Sequence, residues 1–148
     1  MTTIFSRIIA GEIPGRFIWS DEACVAFLTI EPLAPGHTLV VPRTEVDHWV
    51  DLDRDLSSHL FDVARLIGDG IRYAFSPARV GLMIQGFEVP HTHLHVWPAN
   101  SPGDFNLAAA DRSPAPEAQD EAAEQLRGAL HDLGYGEFVP SNVGSLDS

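Results

Sequence analysis

The chain is short of positive charge, of cysteine and of long apolar runs. Nine Lys and Arg stand against twenty-one Asp and Glu in 148 residues, a formal net charge of -12. A surface this acidic repels a polyanion unless it gathers its cations into one patch, and here they are scattered. Long nucleic acid is therefore not an expected partner, whereas a small anion in a locally positive pocket still is. The single cysteine, Cys24, rules out a disulfide within the chain and fits a reducing compartment. No apolar run reaches the roughly 20 residues of a membrane span. Arg7 and Glu12 interrupt the apolar stretch near the N-terminus, so no signal peptide is expected. These absences predict a cytoplasmic protein without a membrane partner.

Hydrophobic residues make up 45% of the chain, enough for one sizeable core in a chain of single-domain length. Ile4, Phe5, Ile8 and Ile9 fit one face of a short helix over 3–10 that Gly11 stops. Phe17 to Trp19 reads as a strand, Ser20-Asp21-Glu22 as a hairpin turn, and Cys24 to Ile30 as the returning strand. A Pro- and Gly-rich loop over 31–36 leads to a strand over 37–41. Leu56, Leu60, Val63, Ile67, Ile71 and Ala74 recur at helical spacing, with Asp53 or Asp55 as cap. Val80 to Gln85 and Val89 to Trp97 read as two more strands. Pro114 and Pro116 open a last helix over about 116–133, with Ala123, Leu126, Leu130 and Leu133 as its buried stripe and Gly134 as its stop. The expected fold class is α+β: about five antiparallel strands with a long helix packed on them and a C-terminal helix. One domain over 1–136, with its core in 3–98, is expected to precede a loose polar tail over 137–148.

Three of the seven histidines stand at His91, His93 and His95. A chance His-x-His-x-His in such a chain is on the order of a one per cent event. On a strand, all three rings share one face and Leu94 and Val96 take the other. Each ring needs a hydrogen-bond partner if buried, so the row is costly as plain packing, and convergent titratable groups mark sites. Two chemistries fit. Three imidazoles can bind Zn²⁺ or Fe²⁺. Alternatively, one neutral imidazole can attack phosphorus while its neighbours bind the departing oxygen, provided an acceptor holds its other nitrogen.

Four blocks then bear on the choice: Thr3 to Pro14, Val25 to Phe27, Ala34-Pro-Gly-His-Thr-Leu-Val-Val-Pro-Arg43 and Val89-Pro-His-Thr-His-Leu-His-Val96. In order and register, from about Thr3 to Pro98, the chain closely resembles the histidine-triad family, and its Hint branch most. The resemblance implies a homodimer acting on a small nucleotide, without a cofactor, through a covalent nucleotidyl-histidine. It places His93 on the nucleophile and His95 on the histidine that contacts phosphate and helps protonate the leaving group. His91 falls on the first of the triad, and His37 on an upstream histidine that supports it. Ile4, Phe5, Ile8, Phe27, Leu28 and Ile30 fall on positions that wall the nucleobase pocket, though each suits plain core packing equally well.

The chain also departs from the family. Thr29 stands where Hint enzymes carry an aspartate on the ribose hydroxyls, and a hydroxyl cannot make that charge-assisted pair. The loop Gln85-Gly86-Phe87-Glu88-Val89 is short, with Glu88 where a neutral donor is expected and Gln85 as a candidate phosphate contact. Some relatives hold a structural zinc through Cys-x-x-Cys. Here those positions are Thr3 and Ser6, so no metal is expected, and His48 is expected at the surface. Two rival readings remain: a metal-dependent enzyme built on the three histidines, and a non-catalytic dimeric nucleotide-binding protein.

Overall fold

The computed structural model describes residues 2–146. Five strands form one antiparallel sheet in the order β1-β2-β3-β5-β4. They are β1 (Phe17–Ser20), β2 (Cys24–Leu28), β3 (Thr38–Pro42), β4 (Arg79–Met83) and β5 (Leu94–Ala99). The helices are α1 (Ile4–Ile9), α2 (Arg54–Phe75) and α3 (Pro116–Asp132). The expected α+β class is what the chain forms.

Both faces of the central strands are covered, which is why β2, β3 and β5 are buried at every position. Side chains of alternate residues separate two cores. Cys24, Ala26, Val40, Leu94 and Val96 pack with the apolar stripe of α2 and with Leu126 and Leu130 of α3. Val25, Phe27, Leu39 and Val41 face the other way and meet Phe5 and Ile8 of α1. Asp53 caps α2, its carboxylate accepting from Leu56 N–H at 2.8 Å. Gly70 lets α2 and α3 close up: a Cβ there would sit 2.9 Å from Leu130 Cδ2.

Local chemistry moves several expected boundaries. β2 ends at Leu28, not Ile30, because the Thr29 hydroxyl accepts from Glu31 N–H at 3.2 Å and turns the chain. The strand expected from Val80 to Gln85 runs instead over Arg79–Met83. β5 begins at Leu94, not Val89. Its ladder with β3 stops at the Leu94–Val40 pair, and further along β3 stands Pro42, which has no N–H to give. Thr92 turns instead to the Val46 carbonyl, with its N–H and its hydroxyl each at 2.7 Å. Leu133 is the C-cap of α3 and is 36% exposed, so it drops out of the buried stripe, which gains Ala122 and Ala129.

The tail is not loose through residue 146. Phe17 N–H donates to the Val143 carbonyl at 2.8 Å, along the outer edge of β1. Arg127 of α3 donates to the carbonyls of Phe17 and Pro140, tying helix, strand and tail together. Val139 and Pro140 are buried. The signal missed in the sequence is a buried apolar residue followed by free backbone groups, which an unpaired sheet edge recruits.

Candidate active site

The sheet face toward α1 carries the histidines. His37 lies just before β3, His95 within β5, and His91 and His93 in the extended segment leading into β5. All four are at least nine-tenths buried: His37 1%, His91 0%, His93 4% and His95 8% exposed. The alternation expected of the triad holds, since Leu94 and Val96 belong to the opposite core.

The partners fix which nitrogen carries each proton, because backbone carbonyls only accept and backbone N–H groups only donate. His93 Nδ1 lies 2.7 Å from the His91 carbonyl, so it is the protonated nitrogen and Nε2 holds a free lone pair. His91 Nε2 donates to the Pro42 carbonyl at 2.8 Å, and its Nδ1 lies 2.7 Å from the Thr3 hydroxyl. Leu33 N–H donates to His37 Nδ1 at 3.0 Å. His37 Nε2 therefore donates to His95 Nδ1, 2.9 Å away, and the remaining proton of neutral His95 sits on Nε2. This corrects the expected role of His37: it supports His95, not His91. His91 is held instead by Thr3 and Pro42.

Burial favours the neutral ring in every case. Burial, then the neighbouring His95 and His93, push His37 down to about 3. Burial, then His93, push His95 down to about 4. Burial also lowers His93 and His91, against opposing hydrogen bonds from the His91 and Pro42 carbonyls.

His93 and His95 open into a cavity of about 590 Å³, within the range of small-molecule sites. Of the expected pocket residues, Ile4, Phe5, Ile8, Phe27, Leu28, Thr29, Ile30 and Glu88 line it. Phe5 meets the His93 ring edge-on with centroids 4.8 Å apart. Ile30 is 73% exposed and forms only the rim, and the Leu28 side chain belongs mainly to the helix-side core. Gln85 is exposed and lies outside the lining, so the structure does not bring it to the histidines. His37 and His91 stand behind the lining and touch it through their neighbours. Sequence reasoning missed Arg16 and Asp120, paired at 2.8 Å across the mouth, and Val143 and Gly144 of the tail. No short-range pattern signals these, because each comes from a distant element.

Thr3 and Ser6 do not fit a zinc. Their donors are neutral hydroxyls, and Thr3 is already bonded to His91. Ser6 donates to Glu45 at 2.6 Å, and Thr3 N–H donates to the same oxygen at 2.7 Å. His48 is exposed, as expected. Away from the cavity, Asp21, Cys24 and His59 gather their ligand atoms within 4.8 Å. The Asp21 carboxylate there accepts from Trp19, Ala23, Cys24 and His59, closing the β1–β2 hairpin. Burial, followed by the Asp21 charge, pushes the Cys24 thiol up, away from the thiolate a metal would need.

An antiparallel sheet with buried, tautomer-locked histidines at the floor of a cavity defines an α+β protein with a candidate histidine-centred active site. Residues 10–101 match the model of the HIT domain. The protein hit of Bacillus subtilis is 34% identical over 106 residues, covering 68% of this chain and 73% of its own. A Zn-bound histidine triad family protein from Mycobacterium smegmatis superposes with a TM-score of 0.76 at 29% identity, over 90% of this chain and 96% of its own. A hypothetical histidine triad nucleotide-binding protein from Sulfolobus tokodaii superposes with a TM-score of 0.74 at 27% identity, over 87% and 92%. The chain belongs to the HIT family.

Proposed function

We propose that the chain is a nucleotidyl hydrolase or transferase that forms a covalent nucleotidyl-histidine on His93, with a small nucleoside phosphoramidate or similar phosphate derivative as substrate. One observation carries this reading: the His91 carbonyl holds the proton on His93 Nδ1, leaving Nε2 bare at the cavity wall. Burial keeps that ring neutral, the form that attacks. Nε2 forms a bond to phosphorus as the bond to the leaving nitrogen breaks. The nitrogen keeps the electron pair and takes a proton from solvent. His95 Nε2–H donates a hydrogen bond to the phosphate or the departing atom. Water, or another acceptor, then displaces His93 from phosphorus and its surplus proton returns to solvent.

The apolar wall of Phe5, Ile8, Phe27 and Leu39 suits a flat base. The nucleotide-binding description of the Sulfolobus tokodaii neighbour agrees with this class of ligand. Metal binding by the triad is the weaker reading. Both His91 nitrogens and the Nδ1 atoms of His93 and His95 are engaged, and His95 Nε2 carries that ring's proton, so His93 Nε2 is the one lone pair of the triad left at the cavity rather than three. A binding protein without turnover is favoured by one feature, the exposed carboxylate of Glu88 in the lining.

A homodimer and a cytoplasmic location belong to the same proposal. The tail covers the β1 edge of the sheet, whereas β4 is the other edge, with Leu82 48% exposed and Phe61 of α2 37% exposed beside it. A groove along α2 and β4 includes both residues and is rimmed by Arg65, Asp69, Arg72 and Arg79. Among the described residues no helix is long and apolar enough to cross a membrane.

The test is adduct mapping. Enzyme is mixed with a nucleoside phosphoramidate, quenched in base to protect the acid-labile P–N bond, and digested. The expected adduct is on His93, and His93→Ala removes both adduct and turnover. An adduct elsewhere, or wild-type turnover in that variant, overturns the proposal.

A further inference from the structure

Glu88 forms no bond in the chemistry above, where its charge only opposes the burial that lowers the His93 pKa, and it lies where the main cavity meets a second recess. Thr29, Glu31, Glu88 and His95 line both spaces. Leu107, Ala110 and Arg112 complete the recess, and His93 does not reach it. On the reading of His93 as nucleophile, we propose that this recess is the leaving-group subsite and that Glu88 selects a leaving amine bearing a second, protonated nitrogen.

The geometry comes first. In phosphoryl transfer the attacking and departing atoms lie roughly in line, on opposite sides of phosphorus. With Nε2 of His93 on one side, the leaving group extends away from His93. The recess is the space that excludes His93 and keeps His95. The His95 ring is 8% exposed and its Nδ1 is taken by His37, so its Nε2–H is the donor left for a ligand there. The recess measures about 30 Å³, room for the atoms next to phosphorus. The rest of the leaving group lies against the exposed Glu88 and Arg112 at its rim.

Charge decides the chemical class. Arg112 donates to Glu31 at 3.0 Å, so those two charges offset one another. Glu88 makes no ion pair among the described residues, which leaves the recess with one uncompensated negative charge. An anionic leaving group is repelled by it, a neutral one is indifferent, and an ammonium is attracted. The same carboxylate would repel a phosphate placed directly on it, so the cationic arm of the substrate also shields the reacting anion. The reaction is unchanged: the P–N bond breaks, the amine leaves with the electron pair and one proton from solvent, and the distal ammonium is not consumed.

The experiment compares three phosphoramidates of one nucleoside, made from ethane-1,2-diamine, propylamine and β-alanine, on the wild type and on Glu88→Gln. The expected wild-type order of kcat/KM is diamine, then propylamine, then β-alanine. Intrinsic leaving ability differs among the three amines but is the same for both enzymes, so the change of ratio on substitution reads the charge alone. The diamine-to-β-alanine ratio should fall by about fivefold or more in Glu88→Gln, starting from the upper end for one exposed ion pair. It should also shrink in the wild type at high salt. A ratio unchanged by the substitution overturns the subsite assignment, even when the propylamide is turned over with an adduct on His93. If no amidate is turned over and no adduct forms, the catalytic reading fails first and takes this inference with it.

Discussion

His37 Nε2 and His95 Nδ1 lie 2.9 Å apart, and the Leu33 N–H on the other side of His37 decides which of them donates. A backbone N–H cannot accept, so the proton order runs one way, from Leu33 through His37 to the Nε2 edge of His95. His37 thus acts through His95 rather than on substrate. Replacing His37 with Ala frees His95 Nδ1 to carry the proton, and a fraction of molecules then present a bare Nε2 to the phosphate. The expected result is a fall in kcat of about 10- to 100-fold, somewhat short of the loss of an oxyanion donor, with a smaller change in KM. Steady-state kinetics on a phosphoramidate check it. An effect confined to KM would place His37 in plain packing.

The depressed histidines also set an acid limit. His37 at about 3 and His95 at about 4 lie below the unfolded value near 6.5, and His91 and His93 are lowered too. Between those values the unfolded chain binds protons that the folded chain does not. Stability therefore rises with pH in this window. It is fully present above about pH 6.5 and is lost as pH falls toward about 4 for His95 and about 3 for His37. Urea midpoints taken from pH 7.5 to 4.5 should decline below 6.5, and the decline should shrink in His37→Gln. In the same window kcat/KM, which reports the free enzyme, should hold to a lower pH than an ordinary imidazole allows.

Thr3 does two jobs at once. Its hydroxyl accepts from Ser6 N–H as the cap of α1 and meets His91 Nδ1 at 2.7 Å. Thr3→Ala removes a helix cap, worth about 1 kcal/mol, and leaves a buried ring nitrogen unpaired, at about 1–3 kcal/mol. A loss of about 2–4 kcal/mol in urea unfolding is expected, whereas Thr3→Ser should lose less than about 1 kcal/mol by keeping both bonds. If the two variants are equally destabilised, the hydroxyl is not the cause.

At Thr29 the hydroxyl oxygen accepts from Glu31 N–H at 3.2 Å and keeps one neutral O–H to donate, and the Thr29 carbonyl accepts from Gln119 at 2.8 Å. The residue is committed to its turn and offers no charge to a ribose. Ribo and 2′-deoxy forms of one nucleotide should bind within about 1 kcal/mol of each other by calorimetry. A difference above about 2 kcal/mol, the scale of a charge-assisted bond, would refute this.

The amino-acid order alone determined the element types, the alternation that sets the triad on one face, the acidic cap of α2 and the stop of α1 at Gly11. These depend on residues a few positions apart, where periodicity and capping chemistry act. Spacing also made His93 the central ring, since period-two geometry is local. Only the tertiary structure decided what each histidine touches. The partner of His95 comes from 58 residues away and that of His91 Nδ1 from 88, so no local rule assigns them. The start of β5 at Leu94 depended on Pro42 of its neighbouring strand, and Gln85 fell outside the cavity because its loop turns to solvent. The tail past Phe138 looked free because it is polar. It is held because the β1 edge leaves backbone groups that must find partners, and Val143 supplies one.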